Sequence, residues 1–175
     1  KYNSKELPEI ECDEEIVKMR NDEPIKIIES PAIYANDQDN QKIESYCDEI
    51  IEKYKYEVET HNYSPNDFLI IFPIMKDNVI APELEIKIQE YWTEVKNDDN
   101  YTQYVFLHRH TEGTVINTKD SINATRIMSI RSSKGDGRNV VFILRLTEDS
   151  LKIVSNKEKG LVYESHLHVA LTRAK

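Results

Sequence analysis

The segment from Ser129 to Phe142 has the composition of an anion-binding loop. It reads SIRSSKGDGRNVVF, which puts two glycines and three cationic side chains between apolar stretches. Gly135 and Gly137 allow the backbone to turn sharply or to approach a ligand closely. Exposed N–H groups beside Lys134 and Arg138 would form a nest for a phosphate or a carboxylate. A basic surface turn has the same composition, and the residues alone leave both interpretations open.

The last residues of the chain, 163–175, carry a second candidate for phosphate chemistry. On a helix, apolar residues at spacings of three and four form one face: Leu167, Ala170, Leu171 and Ala174. Arg173 lies on another flank, so a packed helix would hold its guanidinium sideways for bidentate contact with a phosphate. The alternative is an ordinary arginine in a last helical turn, which the helix dipole favours.

Several catalytic motifs are absent from the sequence. It has no Gly-x-x-x-x-Gly-Lys-Ser/Thr phosphate loop, no Gly-x-Ser-x-Gly elbow and no His-Glu-x-x-His pair. His108 and His110 have no Cys or carboxylate at ligand spacing, so we predict no metal site and interpret them as polar positions on an exposed strand. The chain by itself is therefore not expected to be an enzyme.

Strands that alternate with helices must position the two candidate segments. Apolar spacing predicts a helix over 38–57 and a second helix that opens with Pro82 at a first-turn position. The stripe of the second helix is Leu84, Ile88, Tyr91, Trp92 and Val95. Strands are predicted over 24–29, 68–74, 101–109, 124–131 and 139–144, and a final helix begins at 161 or 163. This order predicts an α/β fold with a mostly parallel sheet, helices on both faces, and ligands at the carboxyl ends of strands.

Length and composition are typical of one globular domain. The chain has 175 residues, of which 39% are hydrophobic and 31% charged. Its longest apolar run, Phe68–Met75, is far shorter than the ~18 residues that span a membrane. Cys12 and Cys47 have no zinc-site or disulfide-framework spacing. We therefore expect no membrane partner and an intracellular location, cytoplasmic or nuclear.

The net charge of −9 hides a division between the two parts of the chain. Residues 1–100 contain 11 Lys and Arg against 25 Asp and Glu, whereas residues 101–175 contain 12 against 7. The second part is therefore net basic, which suits an anionic partner. Residues 1–24 are predicted to be an acidic linker or loosely docked arm, and residues 25–175 a domain. Because the sequence starts at Lys1 without Met and stops within a helical pattern, we expect it to come from a longer protein.

The two candidate segments together resemble a known family. SIRSSKGDGRNVVF, followed by VALTRAK at 169–175, is similar to the fifth and sixth motifs of superfamily 1 helicases of the UvrD/Rep kind. The usual forms of these motifs are T-x-H-S-x-K-G-x-E and Y-V-A-L-T-R-A. The KGDGR variant resembles helicases of large DNA viruses, which suggests a virus-encoded protein acting in infected cells. The resemblance covers residues 126–175 well and the strand–helix order of 25–110 loosely.

The resemblance implies a second, C-terminal RecA-like domain of P-loop NTPase type that completes an ATP site. Arg173 would be the arginine finger that reaches the γ-phosphate, and Gly135 and Asp136 would approach the ribose and γ-phosphate side of ATP. Magnesium and ATP would be bound mainly by an N-terminal RecA-like domain of the same protein. Gly137 stands where the family has Glu, so either Asp136 makes the interaction of that Glu or the domain does without it.

The resemblance also implies a DNA partner, single-stranded or duplex. Ser129 and Arg131 occupy the T-x-H positions that face the single strand in the family, and Arg131 adds a phosphate-binding charge. Lys134 is the third candidate for DNA contact. The family's N-Y-R-S motif has no match in this sequence.

The sequence is also compatible with two other functions. One is a catalytically inactive RecA-like scaffold that binds nucleic acid in replication or repair. The other is a protein-interaction domain whose acidic first part is the functional surface. A phosphate loop encoded upstream of Lys1 would favour the helicase over the scaffold, and salt-sensitive binding to single-stranded DNA would disfavour the interaction domain.

Overall fold

The computed structural model describes residues 40–98, 102–109, 118–154 and 168–174, and a parallel sheet lies at their centre. Its strands are β1 (Phe68–Phe72), β2 (Val105–Leu107), β3 (Thr125–Ser129) and β4 (Val140–Ile143). They are arranged in the order β2-β3-β1-β4 and all pair in parallel. The predicted α/β class with a parallel sheet is confirmed.

Strand β1 is central and entirely buried. Its continuous aromatic and β-branched run suits a strand covered on both faces. Ile70 pairs with Ile127 of β3 on one side and with Phe142 of β4 on the other. Because side chains alternate along a strand, Phe68, Ile70 and Phe72 belong to one core cluster, and Leu69 and Ile71 belong to another.

Two helices, α1 (Asn40–His61) and α2 (Ile80–Lys96), cover the first face of the sheet. The helix predicted over 38–57 is confirmed from Asn40, where the described residues begin, and continues to His61. The next residue, Asn62, has a φ of 56° and leaves the helical conformation. The side-chain oxygen of Asn78 accepts hydrogen bonds from the amides of Ile80 and Ala81, both at 3.0 Å, and so fixes the start of α2.

A buried chain of hydrogen bonds joins these helices to the sheet. Trp92 Nε1 donates to the hydroxyl of Tyr54 at 2.7 Å, and that hydroxyl lies 2.7 Å from Thr125 Oγ1. Thr125 in turn donates to the carbonyl oxygen of Pro65 at 2.9 Å. Burial raises the pKa of the Tyr54 phenol far above its usual value, so it stays protonated and can donate to Thr125.

The second face of the sheet is covered by α3 (Glu148–Val154) and by a helical turn at 168–171. Its core consists of residues from β1, from β3 and the residue after it, and from these helical segments: Leu69, Ile71, Met128, Ile130, Leu151 and Ala170. Helices thus lie on both faces, as the strand–helix alternation predicts. Helix α3 itself was not predicted from the sequence.

Four details of the sequence prediction need correction. The apolar face predicted for the last helix is only partly formed, because the described helix ends at Leu171, which is 46% exposed, and Ala174 is exposed in a β-bridge. The segment predicted as a buried strand over 139–144 forms β4, which is only half-buried because it is an outer strand among the four that the structure describes. The strand predicted over 101–109 is regular only over Val105–Leu107. Val95 was predicted in the apolar stripe of α2 but is 49% exposed, because the last turn of α2 extends past the core.

Some predicted elements lie outside the described residues. These are the acidic arm at 1–24, the strand at 24–29 and the start of the final helix at 161 or 163. Among the residues that the structure does describe, no helix is both long and apolar enough to cross a membrane.

Candidate nucleotide and nucleic-acid interface

The loop between β3 and β4 runs from the carboxyl ends of the parallel strands back to their amino ends. It starts at Ser129, which pairs with Phe72 at the carboxyl end of β1. It reaches Arg138, whose Nη1 donates to the carbonyl oxygens of Asn66 and Ile122, residues that precede β1 and β3. Since β3 and β4 are parallel, their connection must return to the amino ends. Only the first part of the loop therefore lies at the carboxyl ends, where the sequence analysis expected the whole segment.

The first part of the loop is a tight turn held by its own serines. The amide of Ser133 donates to the carbonyl of Ser129 at 3.0 Å, and Ser133 Oγ donates to the carbonyl of Ile130 at 2.8 Å. The hydroxyls of Ser129 and Ser132 lie 2.8 Å apart. Gly135 follows with a φ of +87°, and a Cβ there would meet nothing within 4 Å. Glycine is thus selected by the backbone conformation and not by crowding.

Arg126 of β3 binds the middle of this loop through an ion pair with Asp136. Its side chain is only 8% exposed, and Nη1 donates to Asp136 Oδ2 at 2.7 Å. Nε donates to Ser121, with distances of 3.2 Å to the carbonyl and 2.9 Å to the hydroxyl, and Nη2 donates to the carbonyl of Thr118 at 2.8 Å. All three guanidinium nitrogens are thus hydrogen-bonded, as a buried arginine requires.

Asp136 lies between two arginines. Besides its bond to Arg126, its Oδ1 is 3.5 Å from Nε of Arg138, whose side chain is 11% exposed. Burial lowers the pKa of the Arg138 guanidinium and the charge of Arg126 lowers it further, whereas Asp136 and Asp67 raise it. Asp136 is therefore the carboxylate that forms ion pairs with both of these largely buried cations.

The segment that carries Arg173 packs directly against this loop. The amide of Arg138 donates to the carbonyl of Arg173 at 3.0 Å, and Arg138 and Ala174 form a parallel β-bridge. Within the guanidinium of Arg173, Nε donates to the carbonyl of Val169 at 2.8 Å and Nη1 to that of Ser133 at 3.4 Å. The structure thus brings together the two segments that the sequence analysis singled out.

Arg173 differs from Arg126 and Arg138 in the acceptors that its guanidinium contacts. Among the described residues, its third partner is Thr172 Oγ1, which accepts from Nη2 at 3.2 Å. All three acceptors are uncharged oxygens, whereas Arg126 and Arg138 face the carboxylate of Asp136. Within the described part of the chain, Arg173 is therefore a half-buried guanidinium without a counter-ion.

The remaining predicted site residues lie near the carboxyl end of β3. Lys134 is exposed and makes no hydrogen bond or ion pair with the described residues. Arg131 is exposed, and its Nη2 donates to the carbonyl of Val154 at the end of α3. Ser129 is half-buried, and its hydroxyl is engaged within the serine turn. Lys134 and Arg131 therefore provide positive charge at this surface.

His108 lies beside Ser121, one of the hydrogen-bond partners of Arg126, and does not form a metal centre with described residues. Its Nε2 lies 2.9 Å from Ser121 Oγ, the hydroxyl that also accepts from Arg126. Burial lowers the pKa of His108 and the charge of Arg126 lowers it further, whereas Asp136 raises it. His110 lies outside the described residues, among which no three His, Cys, Asp or Glu side chains gather as metal ligands.

His108 makes stability depend on pH. Because its pKa lies below the ordinary value of 6.5, the unfolded chain binds a proton in mildly acidic solution that the folded chain does not, and the free energy of unfolding falls as pH falls through that value. We expect His108→Gln to show a smaller loss of melting temperature than the wild type between about pH 7.5 and about pH 5.5. Equal losses in the two proteins would contradict this role of His108.

Sequence reasoning missed Arg126, although a signal was present. Arg126 alternates with Met128 and Ile130 along β3 and so occupies a position on an apolar face. A charged residue at such a position requires a buried partner. The partner, Asp136, could not be identified from the sequence because its location depends on the path of the loop.

Comparison with known proteins adds no relative. The chain matches no family model, no curated protein and no solved structure. Inferences about function therefore depend on the motifs and on the geometry described above.

Proposed function

We propose that this chain is the C-terminal RecA-like motor domain of an ATP-dependent superfamily 1 DNA helicase. The observation that supports the proposal most is the contact between the segments that resemble the fifth and sixth helicase motifs. It consists of the hydrogen bond from the amide of Arg138 to the carbonyl of Arg173 and of the bond from Arg173 Nη1 to Ser133. A parallel sheet with helices on both faces is consistent with a RecA-like domain.

In this proposal, Arg173 acts on ATP held mainly by a preceding RecA-like domain. Its guanidinium has only uncharged acceptors among the described residues, so its positive charge is available to a γ-phosphate. Closure of the cleft between the two domains would bring it to the phosphoryl group, where it stabilises the charge of the transition state. The proposed role is catalytic, and magnesium would be held with the nucleotide mainly by the first domain.

Gly135 and Asp136 contribute differently to the proposed nucleotide site. Gly135 is exposed with a positive φ, which suits a backbone that approaches the ribose and γ-phosphate side of ATP. The carboxylate of Asp136 is already bound to Arg126. Of the two possibilities that the sequence leaves open, this ion pair supports a domain that does without the family's carboxylate–nucleotide interaction.

The proposed contact with DNA involves Ser129, Arg131 and Lys134. The two cations are exposed near the carboxyl end of β3, where they would bind phosphates without reading sequence. Repeated closing and opening of the ATP cleft would move a single strand across this surface. The proposed place of action is intracellular, cytoplasmic or nuclear, and the protein is proposed to be virus-encoded.

We expect Lys134→Ala and Arg131→Ala each to weaken the binding of single-stranded DNA. The slope of log K against log salt concentration should become shallower by about 0.7–1 for each phosphate that the variant no longer binds. Fluorescence anisotropy with an oligothymidine at several salt concentrations measures this slope. Lys53→Ala is the matched control, since Lys53 lies on α1 at the other face of the sheet and pairs with Glu49. An equal slope for Lys134→Ala, Arg131→Ala and the control would contradict the proposed DNA surface.

A further inference from the structure

The buried group formed by Arg126, Asp136 and Arg138 is not explained by the proposed function. A carboxylate that contacts a nucleotide must be open to it. The Asp136 side chain is only 16% exposed, and each of its oxygens faces a guanidinium. These contacts indicate a role inside the domain.

Arg126 anchors this group to the sheet. Besides Asp136, it binds the 118–121 turn through Thr118 and Ser121. Because its side chain is buried and all its nitrogens donate, Arg126 can take few other positions without leaving a polar group unpaired. It therefore gives Asp136 a fixed point of attachment.

Asp136 connects Arg126 to the rest of the loop. Its carboxylate is bound to β3 through Arg126, and its amide donates to the carbonyl of Ser133 at 2.9 Å. The same carbonyl accepts Nη1 of Arg173 at 3.4 Å. A displacement of Asp136 would therefore move an acceptor of Arg173.

Arg138 makes the second connection. Its side chain bonds to the carbonyls of Asn66 and Ile122, and its amide donates to the carbonyl of Arg173. Its Nε is buried and has no hydrogen-bond partner in the described part of the chain, where the Asp136 carboxylate supplies only electrostatic compensation. Loss of Asp136 would leave two cations facing each other at the point that supports Arg173.

We infer that Arg126 and Asp136 are positioning residues that set Arg173 through the 133–138 loop, and that the carboxylate of Asp136 does not contact the nucleotide. This inference rests on the proposed function for its catalytic consequence. It also predicts that the domain does not use Asp136 to read the ribose hydroxyls. Substitutions at Asp136 should then change the rates of ATP and 2′-deoxy-ATP hydrolysis by the same factor.

The kinetic test compares Arg126→Met, Asp136→Asn and the double variant in the complete ATP-hydrolysing protein. A misplaced catalytic group lowers kcat by about a hundredfold, and loss of positioning should leave KM for ATP and the ATP to 2′-deoxy-ATP ratio unchanged. The double variant should be no slower than the slower single variant, because both act through one ion pair. Lys152→Met, an exposed change on α3, is the control.

Two kinetic results would overturn the inference. A rise in KM for ATP with a changed sugar preference in Asp136→Asn would indicate direct contact with the nucleotide. Unchanged kcat in a folded Arg126 variant would show that Arg173 does not depend on it. If Arg126→Met does not fold, Arg126→Lys serves instead, since it keeps the charge but cannot bind both Asp136 and the 118–121 turn.

A second measurement on the 175-residue chain is independent of ATP hydrolysis. Hydrogen exchange of the Arg138 amide, followed by NMR, reports its bond to the carbonyl of Arg173. We expect at least about tenfold faster exchange in Asp136→Asn and Arg126→Met and no change in Lys152→Met. Unchanged exchange in all three would overturn the inference. Two results together would separate the inference from the proposed function. Faster exchange in Asp136→Asn and Arg126→Met would support the positioning of Arg173, and an ATPase activity that Arg173→Ala leaves unchanged would overturn the proposed helicase function.

Discussion

The Arg173→Ala variant of the complete protein is expected to hydrolyse ATP about a thousandfold more slowly than the wild type, or slower still. In the proposed site the guanidinium stabilises negative charge that develops as the γ-phosphoryl group is transferred. Its partners among the described residues are two backbone carbonyls and one hydroxyl, so no carboxylate there competes with the phosphate. The turnover rate at saturating ATP measures the effect.

A lysine at the same position separates charge from geometry. Arg173→Lys keeps the positive charge but lacks the planar fork that matches phosphate oxygens, so we expect it to recover only a small part of the lost rate. Binding of single-stranded DNA should remain close to that of the wild type in both variants, because the proposed DNA contacts belong to Arg131 and Lys134. Near-normal turnover by Arg173→Ala would contradict the assignment of this arginine.

A large loss of stability is expected from Asp136→Ala, about 3–5 kcal/mol in the free energy of unfolding. The carboxylate faces Arg126 and Arg138, whose side chains are 8% and 11% exposed. Without it, two charges of the same sign stay close together with little water to solvate them. Urea denaturation of the 175-residue chain measures the difference.

The control for this prediction is Asp149→Ala, which removes an exposed carboxylate from the first turn of α3. Loss of its favourable interaction with the helix dipole should cost less than about 1 kcal/mol. The double variant Arg126→Met with Asp136→Ala should be more stable than the sum of the single effects predicts, since it removes a charge together with its partner. Equal, small losses for Asp136→Ala and Asp149→Ala would mean that the ion pairs contribute little.

The elements with strong local patterns could be predicted from the sequence. Helix α1 repeats its buried apolar residues at helical spacing from Ile43 to Tyr54, and β1 is a continuous run of β-branched and aromatic residues. Helix α3 was missed because it has only seven residues and depends on the burial of Leu151 and Val154 against the rest of the fold. Likewise, the half-burial of β4 follows from the strand order, which no local pattern specifies.

Most residues of the candidate site were predictable from the sequence, but Arg126 was missed and the contacts among these residues could not be predicted. The loop around Gly135 and the segment with Arg173 were found from composition and spacing, and they lie in contact, although Arg173 itself lies in a turn after the helical residues 168–171. The direction of the Asp136 carboxylate could not be predicted, because it depends on a loop that returns along the sheet to the amino end of β3. Tertiary geometry thus decides which charges are paired and which remain available.

ATP hydrolysis in the complete protein, with and without single-stranded DNA, is the decisive measurement for the proposed helicase function. We predict hydrolysis that the single strand stimulates and that Arg173→Ala lowers at least about a thousandfold, while the 175-residue chain alone has no activity. Hydrolysis by the complete protein that neither responds to single-stranded DNA nor depends on Arg173 would contradict the proposed function.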